Sequence, residues 1–182
     1  MSNQPSMEPS EEVDERQLEL AREAGEAYQR ALRYVATEVA RAGDRMQVGD
    51  YIVGIAIEEA EGMYETRDEG QLEWVEPDSE NCHLEVSVAD AVSGRFLPYL
   101  HVEATLTAED GTTVGPEEIP FVWHPGLCHY GKNLEVPASG EYTIRVAVEP
   151  PEFRRHDEQN GDLFVDGIGV EFEDVEIETG QG

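Results

Sequence analysis

Cys82-His83-Leu84-Glu85-Val86-Ser87-Val88 alternates apolar and polar side chains, the period of a β-strand with one face in a core. Leu84, Val86 and Val88 take the core face, and Cys82 shares their parity as a small buried apolar residue. His83 and Glu85 then share the opposite face, about 7 Å apart along the strand. The same period recurs at Tyr51, Val53, Ile55 and Ile57, at Leu100, Val102, Ala104 and Leu106, and at Tyr142, Ile144, Val146 and Val148. It returns at Ile168, Val170 and Phe172, and Val175 and Ile177 continue it on shifted parity, which predicts a bulge. Gly, Pro, Asp and Asn punctuate the gaps, with a turn at Glu109-Asp110-Gly111. Short half-buried strands at this spacing predict a mainly β chain, an antiparallel β-sandwich over residues 48–178. The long connection from Glu61 to Asn81 has room for a hairpin.

Upstream the period changes. Leu18, Ala21, Ala24, Tyr28, Leu32, Val35 and Val39 recur at helical steps, together with Leu20 and Ala42. They predict an N-terminal amphipathic α-helix over 15–43, stopped at Gly43 and docked on the chain's own domain. Residues 1–14 read as a disordered acidic tail.

Acidic residues number 41 and basic residues 12, a formal charge of −29 spread along the whole chain. Such a charge repels nucleic-acid phosphates and anionic lipid headgroups, so no nucleic-acid partner is expected. Acid spread everywhere with few lysines fits a halophile, where salt screens the self-repulsion. Hydrophobic residues at 39% argue against global disorder. Met1 to Val13 shows neither the charged nor the apolar part of a signal peptide, and no run approaches the ~18 apolar residues of a membrane span. As written, the chain is expected in the cytoplasm. Two cysteines make no disulfide framework.

The chemistry lies in five histidines. His83-x-Glu85 offers one nitrogen and one oxygen ligand from a rigid strand, the alternative being a solvated polar face. Pro120 to Asn133 reads as a loop carrying His124 and His129, two imidazoles that can converge across Pro125-Gly126 or instead cap backbone or stack on Trp123 and Tyr130. His156 follows a strand end beside Asp157 and two arginines, where it can be a ligand, a salt-bridge member or a pH-sensitive hinge, and taken alone it reads as structural. His101 has outward parity and reads as a surface residue. Neutral imidazoles joined by carboxylate suit a borderline transition metal. No nucleophile motif stands out, and the expectation is a metal-binding protein and not an enzyme. The other reading is a structural or protein-interaction module whose histidines only stabilise loops.

His83-Leu84-Glu85, Leu97-Pro98-Tyr99-Leu100, His129-Tyr130-Gly131-Lys132-Asn133, Gly140-Glu141-Tyr142-Thr143 and Arg155-His156-Asp157-Glu158, in this order, resemble the periplasmic iron-transport accessory protein family. The resemblance implies an immunoglobulin-like β-sandwich that forms a homodimer and binds copper or ferrous iron. It implies a location outside the cytoplasm and a membrane permease or other iron-transport component as partner. Carried over, His83, Glu85, His129 and His156 match the family's ligands. The family's methionine ahead of His-Tyr-Gly corresponds to Phe121, so His124 is expected to replace that soft ligand. Imidazole for thioether shifts preference from Cu(I) toward Cu(II), Zn(II) or Fe(II).

Overall fold

The computed structural model describes residues 5–182. Helix α1 (Glu15–Tyr34) starts on a capping box, in which Asp14 accepts from the Gln17 amide and the Gln17 side chain accepts from the Asp14 amide. Then come β1 (Ala42–Val48), β2 (Tyr51–Glu58), β3 (Met63–Thr66), β4 (Leu72–Val75), β5 (Cys82–Asp90) and β6 (Val102–Ala108). The chain continues through β7 (Thr113–Glu118), β8 (Phe121–Val122), β9 (His129–Leu134), β10 (Gly140–Val148) and β11 (Ile168–Ile177).

Two antiparallel sheets form the sandwich. One has the order β1-β2-β5-β9-β8 and the other β11-β10-β6-β7, while β3 and β4 pair as a separate hairpin within the long connection. Between the sheets lie the residues whose alternation predicted the strands, among them Val53, Leu84, Val86, Leu106, Ile144 and Phe172, all at or near zero exposure. Each contributes about 1.5–3 kcal/mol by leaving water. The Tyr142 hydroxyl donates to the Ala138 carbonyl at 2.6 Å, a tie back to the chain just upstream that fixes the start of β10. The parity change in β11 is a bulge. Glu173 and Asp174 sit between the register pairs Ile144↔Phe172 and Tyr142↔Val175, and Asp174 has φ 55°.

The structure moves three expected boundaries. Helical structure ends before Gly43: Val35–Val39 is a π-turn closed by the Ala40 amide on the Val35 carbonyl, and β1 already runs from Ala42. Gly43 is a strand residue, and a Cβ there would press on Ala36 and the Ile55 carbonyl at 3.1 Å. The glycine serves close packing of the π-turn on the sheet, not a helix stop, and the sandwich begins six residues earlier than the alternation showed. Half of the predicted loop of Pro120 to Asn133 is strand, with Trp123 to Cys128 left as the connection between β8 and β9. Of the expected disordered tail, residues 1–4 lie outside the described residues. Further along, Glu8 exchanges two hydrogen bonds with Asn160, and the Ser10 hydroxyl donates to Asp157 at 2.9 Å, so this acidic stretch is pinned.

Helix α1 lies on the outer face of the β1-β2-β5 sheet. A Cβ on Gly25 would fall 1.7 Å from the Ser93 carbonyl oxygen, so backbone packs directly on the turn after β5. Gln29 donates to the Gly94 carbonyl at 3.0 Å, and the Tyr28 hydroxyl donates to the Cys128 carbonyl at 2.8 Å. The buried stripe is therefore Leu18, Gly25 and Gln29, with Leu20, Ala24 and Val39 facing water. Under this cover β5 is buried on both faces, which its alternation did not foretell.

Candidate metal centre

Strand pairing places the site. Glu58, His83 and Asn133 stand in register across β2, β5 and β9, and Ala56, Glu85 and Gly131 form the next row on the same outer face. His129 precedes Gly131 by two residues on β9 and so shares its parity. A donor atom from each of His83, Glu85 and His129 lies within 4.8 Å of the other two. His83 is 2% exposed and His129 3% exposed.

Neighbouring groups fix both imidazoles in one tautomer. The Asn133 amide nitrogen donates to the Glu61 carbonyl, so its oxygen accepts the His83 Nδ1 proton at 2.9 Å. His129 Nδ1 faces the Leu127 carbonyl at 3.4 Å, an acceptor that requires the proton on Nδ1. In both rings Nε2 then carries a free lone pair. Gly131 leaves the space between them: a Cβ there would sit 3.0 Å from both Nε2 atoms. His129 Nε2 is buried with no hydrogen-bond partner among the described residues, although Glu85 Oε1 is 3.3 Å away. A buried nitrogen without a partner is costly and calls for an occupant.

Electrostatics agree with the geometry. Burial pushes His129 down to about 4, with His83 and His124 adding to it, and burial also lowers His83. Glu85 is pushed up to about 7 by burial and by the charges of Glu58 and Glu61. At neutral pH the site thus offers two neutral imidazoles and a carboxyl that gives up its proton to a cation. Two nitrogens and one oxygen suit Cu(II), Zn(II) or Fe(II).

Three of the five expected ligands meet here. His124 lies beside the site, its ring centroid 6.2 Å from that of His129, but its Nδ1 accepts the Gly126 and Leu127 amides at 3.1 and 3.4 Å. It caps the connecting turn and stands outside the cluster, so in this arrangement it does not replace a soft ligand. Phe121 packs on Phe96 and Tyr130. His156 is remote, its side chain 91% exposed with Nδ1 3.1 Å from Glu12 of the N-terminal segment. The adjoining Arg155 holds the loop by donating to the carbonyls of Phe153, Leu163 and Phe164. Cys82 is buried and its thiol pushed up to about 12 by burial, as a core residue. Gly131 and Asn133 also shape the cluster, and periodicity did not find them. Their signal was the Gly-x-Asn spacing after His-Tyr, and it has meaning only once β9 is paired with β5.

Two of the ordered motifs meet in the core. The Tyr130 hydroxyl donates to the Leu97 carbonyl at 2.8 Å and accepts from the Leu100 amide at 3.1 Å, which holds the strand carrying His129.

A family model described as Fe2+ transport protein matches residues 42–176, from the first residue of β1 almost to the end of β11. The UPF0423 proteins of Brucella abortus strain 2308 and Brucella suis biovar 1 are 30% identical over 84 residues, 42% of this chain and 46% of theirs. The chain thus spans about half the length of the curated relatives it matches. FetP of uropathogenic Escherichia coli F11 superposes with a TM-score of 0.61 at 19% identity, over 75% of this chain and 94% of FetP. A copper-bound variant of Campylobacter jejuni P19 gives 0.61 at 18% identity, over 77% and 97%. These likenesses establish the sandwich fold. Among the described residues no helix is long and apolar enough to cross a membrane.

Proposed function

The chain belongs to the Fe2+ transport protein family, and from that premise we propose that it captures a transition-metal ion, copper or ferrous iron, at His83, Glu85 and His129. The observation that carries this reading is the partnerless, buried His129 Nε2 facing His83 Nε2 across Gly131. Copper in the P19 and FetP variants supports copper as one cargo. Two imidazoles with one carboxylate equally suit Fe(II), which keeps open positions for water or an incoming ligand. Zinc is a competitor on the same grounds.

The chain acts as a carrier and not as an enzyme. Asn133 and the Leu127 carbonyl hold the lone pairs aimed inward before the ion arrives, which lowers the cost of ordering the ligands. Glu85 releases its proton on binding, so uptake is favoured at higher pH and release at lower pH. His156 is beyond reach of the cluster within one chain, so as a ligand it comes from a second copy in a homodimer. The carrier works outside the cytoplasm and hands its ion to a membrane permease of an iron-uptake system.

The test is metal analysis and thermal melting of untagged protein in molar salt with Cu(II), Fe(II), Zn(II) or EDTA. A rise in melting temperature that disappears in His83→Ala/His129→Ala is the expected result. No bound metal and no shift would leave the histidines as loop and strand supports, and the interaction-module reading would replace this one.

A further inference from the structure

The site opens on one side into a cavity of about 220 Å³ between α1 and the sheet, with Glu85 and His129 in its wall. Its origin is the run of small outer-face residues Gly43, Gly54, Ala56 and Ser87 on three adjacent strands, which leaves a trough under Leu32 and Ala36. Most of the wall is apolar. An apolar cavity of about 150 Å³ holds a benzene ring, so this one accommodates a ring with substituents.

The mouth carries the opposite charge to the rest of the chain. A second cavity of about 420 Å³ adjoins the first, sharing Gln29, Arg33, Arg45 and Ile52 with it, and is also lined by Arg22 and Arg30. Arg22, Arg30 and Arg33 form one stripe along α1, and Arg45 faces them from β1. These are four of the twelve basic residues in a chain of net charge −29. Among the described residues none of the four forms an ion pair; Arg16, Arg41, Arg67 and Lys132 do, while Arg95, Arg145, Arg154 and Arg155, elsewhere on the chain, also do not. Arg45 donates to Gln29 at 3.0 Å. The carboxylates of Glu26, Asp44 and Glu85 also line the two cavities, so four arginines against three carboxylates leave a local excess of one positive charge in a strongly acidic chain. A bare cation is not drawn in through such a mouth, and a small anion is.

We propose that the cleft between α1 and strands β1–β2 binds a small aromatic carboxylate. Its carboxylate pairs with Arg33 and Arg45, its ring fills the cavity, and oxygen donors at its far end complete the coordination of the ion at Glu85 and His129. The last contact rests on the metal-capture reading, while the first two do not. The bare ion approaches from the other side, where Glu58 and Glu61 stand beside Glu85 and His83. The family match begins at Ala42 and leaves out α1, the element that supplies the helix wall of this cleft.

Calorimetric titration of the full chain at ~0.1 M salt tests it, where surface charge is only partly screened. Benzoate is titrated into metal-free protein, and 3,4-dihydroxybenzoate into metal-free and Zn(II)-loaded protein. Benzoate is expected to bind near or below ~1 mM, as its size allows. Binding should weaken about tenfold or more in Arg33→Gln/Arg45→Gln, the cost of losing a charge-assisted hydrogen bond. It should also fail in Ala56→Leu, which fills the cavity, with melting curves checking that both variants fold. Zn(II) should tighten 3,4-dihydroxybenzoate about tenfold or more, and His83→Ala, which removes a metal ligand that does not line the cavity, should abolish that gain while leaving benzoate binding in place. Benzoate that does not bind, or binds equally to the arginine variant, overturns the proposal even if the metal binds. Equal binding of 3,4-dihydroxybenzoate to loaded and metal-free protein overturns its contact with the ion. If Zn(II) itself does not bind, the metal reading falls and benzoate binding alone decides the cleft.

Discussion

Gly131→Ala should cost this protein its metal far more than its fold. The added Cβ falls 3.0 Å from His129 Nε2, His129 Cδ2 and His83 Nε2, where ordinary contact begins at 3.4 Å. Each ring must therefore yield by about 0.4 Å. Gly131 is not among the positive-φ glycines, so alanine takes its strand conformation without backbone strain. Overpacking costs about 1–3 kcal/mol, and the stiffer unfolded chain returns about 0.4–1 kcal/mol. At about 2–4 °C per kcal/mol for a chain of this size, the melting temperature falls by roughly 10 °C at most.

The ion fares worse. Metal–imidazole bonds are about 2.0–2.1 Å long, and a site tolerates deviations of about 0.2 Å. A displacement twice that size, shared by two ligands, breaks at least one bond. Removing a supporting hydrogen bond around a metal typically costs about 10–100-fold in affinity, so losing a ligand should reach about 100-fold or more, roughly 2.8 kcal/mol. Competition against a chromophoric chelator at pH 7.5, with melting curves alongside, measures both terms. An affinity within about threefold of wild type in a folded Gly131→Ala protein would refute the placement of the ion between the two Nε2 atoms.

Asn133→Leu removes the acceptor that fixes the His83 tautomer, and affinity for Cu(II) or Zn(II) should drop about 10–100-fold by the same chelator competition; an unchanged value would mean that the tautomer needs no support. The logarithm of the affinity should rise about one unit per pH unit below pH 7, where Glu85 holds a proton that the ion displaces, and flatten above it. A titration flat from pH 5 to 7 would exclude Glu85 as a ligand. Metal-free stability depends on pH most strongly through two opposing groups, with the lowered His83 acting in the same sense as His129. His129, lowered to about 4, contributes stability that is lost as pH falls from 6.5 to 4, and Glu85, raised to about 7, contributes stability that is lost as pH rises from 4.5 to 7. Glu85→Gln removes the second group, so between about pH 4.5 and 6.5 its metal-free stability should climb with pH more steeply than that of wild type, by about 1.4 kcal/mol per pH unit. Urea titrations across that range decide it, and a flat variant would contradict a buried neutral His129. Gly25→Ala drives a methyl into the Ser93 carbonyl and should destabilise the chain by about 2–4 kcal/mol despite alanine's better helix propensity; an unchanged melting temperature would mean that α1 does not dock there.

Most of the sandwich was legible because its strands obey a one-sided rule. Tyr51 to Ile57, Leu100 to Leu106 and Tyr142 to Val148 each turn every second side chain to the core, and β11 even shows its bulge as a change of parity. His129 to Leu134 escaped, since Gly131, Lys132 and Asn133 carry no strand propensity. What makes the segment a strand is pairing with β5 and the anchoring of Tyr130 on Leu97 and Leu100. His83 and Glu85 were readable as one face of one strand. Their convergence with His129 was not, because it depends on register between strands more than forty residues apart. His156 shows the opposite limit: its motif matches, yet in this chain it meets Glu12 and solvent.

The outer face of β5 joins these observations. Alternation read His83 and Glu85 as facing away from the core, which is correct, and an uncovered sheet face is ordinarily wet. Had it been wet, Glu85 would ionise freely, His129 Nε2 would bond to water, and neither would await an ion. Helix α1 changes that. Gly25 brings its backbone onto Ser93, and Tyr28 ties it to the carbonyl of Cys128, next to His129. The face is dried without being filled, because Gly43, Gly54 and Ala56 leave nothing to fill it. A polar pair predicted on a solvated strand face thus becomes a buried, preorganised donor set only through a helix whose docking is written in a glycine. The same helix brings the arginines to the mouth of the space it encloses. Covering the donors and setting the charge at their entrance are therefore one structural consequence, and Gly25→Ala should disturb both together while leaving the inter-sheet core intact.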